Sequence, residues 1–308
     1  MDGSNILITG GAGFIGSNLT NKIISSYDVK KIIIVDNLIS SESFNIPSSK
    51  KIKFLYGSIS NDSILNKIPN IDIVFHLSCY HGNQSSIANP IEDHDNNLIT
   101  SLKLFDFVAK KRNIKKIVYA AAGCAVAEKK YGKVNPTYED SRISLFQDSP
   151  YSISKLVGEM YANYFYKQHG LPIIKARFQN VYGPREYLGA GKWRGTVNTI
   201  WRNVVPTFIW KAINNVNLEL DHSGNTSRDF IFVDDIVEGL IKCAENGING
   251  QSYNLATGIE TKIKSLAKKI IKFTNSKSSI LLKNRRTWDN SGNRFGSAIK
   301  SKTEIGFS

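Results

Sequence analysis

Tyr151 and Lys155 stand four residues apart in a segment with helical periodicity, a spacing that puts both side chains on one face of a helix. An ammonium beside a phenol stabilises the phenolate. It draws a hydroxyl with an ordinary pKa of about 10 toward neutral pH, where the oxygen can serve as base or acid. The same lysine can hold a ribose. A second group of residues is the run Thr9-Gly10-Gly11-Ala12-Gly13-Phe14-Ile15-Gly16, which follows a strand-like segment and opens a helical one. There Gly10 permits a tight turn, Gly13 lets the backbone approach a pyrophosphate and Gly16 allows close helix packing. The helix N-terminus adds amide donors and positive potential. Asp36 ends the next strand-like run, 20 residues after Gly16. A carboxylate at that point accepts from ribose hydroxyls and repels a 2′-phosphate, so the expected cofactor is NAD and not NADP.

These groups need a scaffold. Asn5 to Thr9, Lys31 to Val35, Lys53 to Tyr56, Ile71 to His76, Lys116 to Ala120 and Ile173 to Arg177 read as short strands rich in β-branched residues. Amphipathic stretches lie between them, notably Gly16 to Ser26, Asn97 to Arg112 and Tyr151 to His169, the last ending at Gly170 as a C-cap. Near-continuous apolar strands alternating with helices predict an α/β fold with a doubly wound, Rossmann-type parallel sheet covered on both faces. From Gly183 the texture turns to glycine, charge and tryptophan, whereas Ile231 to Val233 and a helix over Asp234 to Asn246 return to the earlier pattern. The expected division is a cofactor-binding domain over 1–178 plus 229–256 and a smaller, interleaved α/β substrate lobe over 179–228 plus 257–308.

With 308 residues and 41% apolar content the chain can bury a large core. Cys79, Cys124 and Cys243 are odd in number and lack CxxC spacing, which argues against a disulfide framework or a zinc knuckle and fits a reducing cytoplasm. No basic leader precedes the first strand, and no apolar run reaches the ~20 residues that span a bilayer. The net charge of +14 is spread over lysine pairs on exposed faces, without a zinc-finger or RNP motif. It reads as solvated surface rather than a nucleic-acid or membrane site, and it suits an anionic small ligand. His76, His81 and His94 do not share the spacing of a ligand set, so no metal is expected.

Further stretches extend the pattern: Val74-Phe75-His76-Leu77-Ser78, Asn97, Arg177-Phe178-Gln179-Asn180-Val181-Tyr182-Gly183-Pro184, and Arg228-Asp229-Phe230-Ile231-Phe232-Val233-Asp234-Asp235. With them, nearly the whole chain resembles an extended short-chain dehydrogenase/reductase of the nucleotide-sugar epimerase/dehydratase family. The resemblance implies NAD contacts from Gly10, Gly13, Phe14, Ile15 and Gly16, from Asp36, Asn37, Ser58 and Ile59, and from Leu77, Ser78, Asn97, Ala120 and Phe178. Tyr151 and Lys155 would stand at the nicotinamide. It implies a nucleotide-diphosphate sugar, UDP- or GDP-linked, near Ala122 and held by Asn180, with Val205 to Phe208 covering its base. Arg228 and Arg286 would neutralise the diphosphate, a task that suits a guanidinium fork. A homodimer formed through Asn97 to Arg112 and Tyr151 to His169 is implied as well, with Leu98, Leu102 and Phe105 able either to form that face or to pack on the sheet.

The chain departs from the family in Tyr119-Ala120-Ala121-Ala122-Gly123-Cys124. Relatives place a serine or threonine at Ala122 to help move the 4-hydroxyl proton, and the 4,6-dehydratases place an Asp-Glu pair at Gly123 and Cys124. Cys124 is similar to the cysteine base of the GDP-mannose 3,5-epimerases, and Gly191-Lys192-Trp193-Arg194-Gly195 echoes the segment that carries their basic partner, here Lys192. The stretches Ala122 to Val126 and Leu188 to Pro206 are similar to a bacterial O-antigen enzyme subgroup of the WbmF type. The resulting expectation is an epimerase acting through a transient 4-keto sugar in surface-polysaccharide precursor synthesis. The alternatives are a dehydratase or an inactive NAD-binding regulator.

Overall fold

The structure is a computed structural model and describes residues 1–111, 113–186 and 203–308. The first part runs β1 (Asn5–Thr9), α1 (Phe14–Ser26), β2 (Lys31–Asp36), β3 (Ile52–Tyr56), α2 (Asp62–Leu65) and β4 (Ile73–His76). Then come α3 (Asn83–Ala88), α4 (Pro90–Asp93), a π-helical segment (His94–Ile99), α5 (Thr100–Ala109), β5 (Lys116–Ala122), α6 (Gly123–Val126), α7 (Pro150–His169) and β6 (Ile173–Phe178). The remainder comprises β7 (Asn180–Tyr182), α8 (Val204–Ile213), β8 (Leu218–Leu220), β9 (Ser227–Arg228), β10 (Phe230–Phe232), α9 (Val233–Asn246), β11 (Ser252–Leu255), β12 (Thr261–Lys262), α10 (Ile263–Phe273), β13 (Ile280–Leu282) and α11 (Ile299–Ile305).

Seven strands form one sheet in the order β11-β6-β5-β4-β1-β2-β3, every neighbouring pair parallel. Alternation along each strand sends successive residues to opposite faces. Ile6, Ile8, Ile32 and Ile34 join Leu19 and Ile23 of α1 and Val237 and Leu240 of α9 in one core. Leu7, Ile33 and Val35 join Leu104, Phe105 and Val108 of α5 and Phe165 of α7 in the other. Both faces are therefore sealed, which is why the strands read as continuous apolar runs. The strand order reverses between β1 and β4, and in such sheets the crevice at that switch, beyond the carboxyl ends, is where ligands bind.

Helix α7 starts where its sequence sets the boundary. The Ser149 hydroxyl accepts from the Ser152 amide at 3.2 Å, Pro150 fills the first turn, and Gly170 ends the helix in the left-handed region at φ 66°. The helix expected over Asn97 to Arg112 differs: its first residues form the π segment, α5 proper begins at Thr100, and Arg112 lies outside the described residues. Within that segment Asn97 is buried and bonded to both backbone groups of Tyr80 and to Asp93. Phe105 is fully buried against Tyr119 and Phe165, so of the two roles open to it, packing on the sheet holds.

Beyond β6, β7 pairs with β10, β9 with β12, and β8 with β13. Phe208, Leu218, Leu220, Ala267 and Ile270 make a separate small core under α8 and α10. Because Phe105 touches both the sheet and α7, Phe105→Ala is expected to cost ~3–5 kcal/mol in reversible denaturation, the usual range for a fully buried phenylalanine. A loss under about 1 kcal/mol would contradict this packing.

Candidate active site

The carboxyl ends of β1, β2, β4, β5 and β6 open into a cavity of about 970 Å³ that continues under α8 and the 283–294 segment. At one end the chain turns sharply from β1 into α1. Gly10 has φ 71°, and a Cβ there would lie 2.7 Å from the Ser78 backbone; a Cβ on Gly16 would lie 2.2 Å from the Gly10 carbonyl oxygen. Both positions exclude a side chain. Gly13 is different: a Cβ there would meet only the Gly10 oxygen, at 3.2 Å, and would otherwise stand in the cavity. As N-cap of α1 it brings no side chain to the first amides of the helix. This is a cradle of the shape and polarity that a pyrophosphate fits.

Asp36 is buried at the end of β2. Its carboxylate accepts from the Ala12 amide at 3.0 Å, the Leu38 amide at 2.9 Å and the Ser41 hydroxyl at 2.8 Å, so it is fixed at the cavity wall. Phe14, Ile15, Asn37, Ser58, Ile59, Leu77, Ser78, Ala120 and Phe178 line the same cavity. Asn97 is not among them: its amide bonds to both backbone groups of Tyr80 and to Asp93, and so braces the loop after β4. Sequence pattern alone cannot separate a wall residue from the one supporting it.

Tyr151 and Lys155 both line the cavity from the first turns of α7 and are 8% and 4% exposed. Lys155 Nζ donates to the Ala120 carbonyl at 2.8 Å and stands 6.0 Å from the Tyr151 ring. The phenol is not lowered as the lysine spacing suggested. Burial, followed by the charges of Cys79, Cys124, Tyr119 and Asp93, raises it well above the usual tyrosine value, because desolvation of the anion outweighs a cation engaged elsewhere. His76 was passed over as a ligand, and it is a buried neutral group: burial, then Lys155, brings its pKa down to about 3, and its nitrogens meet Thr9 and Ser101. Among the described residues no three His, Cys, Asp or Glu side chains cluster as a metal site.

Ala122, the last residue of β5, and Cys124, in the first turn of α6, both line the cavity. Cys79 lines it too, whereas Cys243 is buried in the core with its thiol pushed far up by desolvation. Lys192 lies outside the described residues. Asn180 lines the cavity, as do Val204, Thr207 and Phe208; Val205 is buried and does not. Arg228 donates to the carbonyls of Ser227 (2.7 Å) and Gly292 (2.5 Å) and to Ser291 Oγ (2.8 Å). Burial and then Arg294 bring it down to about 9, so an anion arriving beside it would be welcome. Arg286 reaches Asp221 at 2.5 Å. Wall residues that the sequence did not assign to the site include His81, whose ring lies 5.7 Å from that of Tyr151, Asn203 and Arg294.

The model of the NAD dependent epimerase/dehydratase family matches residues 6–256, and the chain belongs to that family. It is 33% identical over 264 residues to a putative UDP-glucose 4-epimerase of Methanocaldococcus jannaschii, covering 85% of this chain and 79% of that protein. It is 30% identical over 279 residues to a dTDP-D-glucose 4,6-dehydratase of Dictyostelium discoideum, covering 86% of this chain and 61% of that protein. Among solved structures, the Bordetella bronchiseptica enzyme WbmF in complex with NAD+ and UDP superposes with a TM-score of 0.87 at 47% identity, over 100% of this chain and 88% of that one. The extended short-chain dehydrogenase type expected from the motifs is thereby established.

Replacing Asp36 by Ala is expected to narrow the preference for NAD over NADP by about tenfold, ~1.4 kcal/mol, in paired fluorescence titrations. An unchanged ratio would remove Asp36 from cofactor discrimination.

Proposed function

We propose that the protein is an NAD-dependent nucleotide-sugar epimerase that works through a transient 4-keto sugar, in the cytoplasm, in the supply of surface-polysaccharide precursors. The observation that carries this reading is the convergence on one cavity of the glycine turn, Tyr151 with Lys155, Cys124, and the polar group Asn180, Arg228 and Arg286. The UDP bound to WbmF favours a UDP-linked over a GDP-linked sugar.

Bound NAD supplies a hydride acceptor that later returns the hydrogen, and a positive ring while it is oxidised. The chain's part is to handle protons and hold the sugar. Tyr151 takes the proton of the C4 hydroxyl; with no hydroxyl at Ala122, the phenol meets that oxygen itself. Burial raises the phenol in the protein without ligands, so it would act as a base once positive charge, from Lys155 6.0 Å from its ring and from an oxidised nicotinamide, stabilises the phenolate. Two outcomes are open to the 4-keto sugar. It can rotate and be reduced on its other face, inverting C4, or Cys124 can remove the acidified proton on the adjacent carbon, with Lys192 as the donor that replaces it. A 4,6-dehydratase needs acidic groups after β5, and Gly123 and Cys124 occupy those positions.

Arg228 and Arg286 meet the diphosphate, and Phe208 with its neighbours on α8 meets the base. The two-lobed division over 1–178 plus 229–256 and 179–228 plus 257–308 places these groups on the smaller lobe. A homodimer would form on α7, where Ile153, Met160 and Tyr164 are each at least half exposed.

Tyr151→Phe is expected to lower kcat by ~10²–10⁴, the range for loss of a general acid–base group, while NAD still binds. Undiminished turnover of UDP-sugars would reject the role. In deuterated water, label at C3 or C5 of the product that disappears in Cys124→Ala assigns proton abstraction to the thiol. Label that persists in that variant removes the cysteine from the mechanism.

A further inference from the structure

Asp148 directly precedes the Ser149-Pro150 start of α7, and its side chain is 2% exposed. Three separate segments meet its carboxylate. Oδ1 accepts from Ser152 Oγ at 2.7 Å, beside Tyr151 in the first turn of α7. Oδ2 accepts from Asn83 Nδ2 at 3.0 Å, at the start of α3 and two residues after His81. The Lys129 ammonium stands 3.6 Å from Oδ1 and donates to the carbonyl of Cys124. One buried carboxylate thus ties together the loop after β5, the tyrosine helix and the loop after β4, which carry Cys124, Tyr151 and His81.

We infer that Asp148 and Lys129 are positioning residues, a buried ion-pair clamp that holds the three walls of the sugar end of the cavity in register. Neither side chain lines the cavity, and both act through groups that do. The energetics agree with a clamp. Burial alone would raise the Asp148 carboxyl, yet Lys129, Ser152 and Arg294 together hold it below the usual carboxylate range. Burial lowers Lys129, which keeps Cys124 and Asp148 as its favourable partners. Removing one member of such a pair leaves the other charge uncompensated in a dry place. Its effect reaches every segment bonded to it. A misplacement of about 1 Å at a reacting group can cost ~10²-fold in rate.

The test uses the full chain with NAD present and compares Asp148→Asn and Lys129→Met with the parent. Hydrogen exchange read by mass spectrometry is expected to rise ~10-fold or more in 82–88, 123–129 and 150–153 together in Asp148→Asn, with the peptides of β1, β2 and β4 unchanged. Lys129→Met is expected to release 123–129, and Lys129→Arg to restore it. If Asp148→Asn does not fold, Lys129→Met decides alone. Unchanged protection in Lys129→Met, or loosening confined to the mutated residue's own segment in a folded Asp148→Asn, overturns the clamp.

The kinetic arm rests on the proposed function. Both variants are expected to lose ~10–100-fold in kcat with KM within about twofold, and Lys129→Arg to recover most of it. Loosened segments with unchanged kcat would leave an ordinary structural ion pair and overturn the positioning role. A parent protein that turns over no nucleotide sugar would instead contradict the proposed reaction, and hydrogen exchange would still decide the clamp.

Discussion

The bond from the Lys155 ammonium to the Ala120 carbonyl, 2.8 Å long, fixes helix α7 against the end of strand β5. Much else depends on the closeness of that approach. One turn further along α7, a Cβ on Gly158 would stand 2.0 Å from the Tyr119 hydroxyl, so only glycine lets the helix lie where the lysine can reach the strand. With α7 placed there, its first turn brings Tyr151 to the mouth of the cavity that the glycine turn closes at the other end. Strand β5 is in turn held between β4 and β6 in a sheet sealed by helices on both faces. The tyrosine's position is therefore an outcome of core packing and not of a flexible loop.

The same packing sets the electrostatics. Desolvation removes the proton from His76, raises the Tyr151 phenol and lowers Arg228 to about 9. Each shift follows from burial as its largest cause, and each describes the protein without its ligands. A site built this way is poised for charge to arrive from outside: a cation beside the phenol and an anion beside the guanidinium. A dinucleotide with an oxidised ring and a sugar diphosphate are molecules that bring those charges.

The scaffold and the cofactor cradle were legible in the sequence because both are local. β-Branched runs announced six strands of the large sheet, the run of glycines announced the turn, and Gly170 announced the end of α7. The seventh strand, β11, did not announce itself: Ser252-Tyr253-Asn254-Leu255 has no β-branched residue, and it pairs with a strand 77 positions earlier. Among the described residues, the two expected site residues that do not line the cavity share one cause. Asn97 and Val205 belong to the right segments, but which member of a segment faces a cavity is decided by tertiary contacts such as the one Asn97 makes with Tyr80. The Asp148 and Lys129 pair and His81 were illegible for the same reason: Lys129 and Asp148 sit in loops with no periodicity, and their partners lie up to 65 residues away. Spacing carries no information about burial, which raises the Tyr151 phenol in the protein without its ligands.

The proposed chemistry has Tyr151 and Lys155 acting on a sugar at the nicotinamide of a dinucleotide lying over the Gly10–Gly16 turn. The most direct measurement is a rapid-mixing absorbance trace of reduced nicotinamide after the NAD-loaded protein meets UDP-hexoses. A transient rise followed by decay is expected in the parent protein, and a much slower rise in Lys155→Met with the cofactor still bound. A protein that holds NAD firmly, binds a UDP-hexose, and never shows reduced cofactor would contradict it.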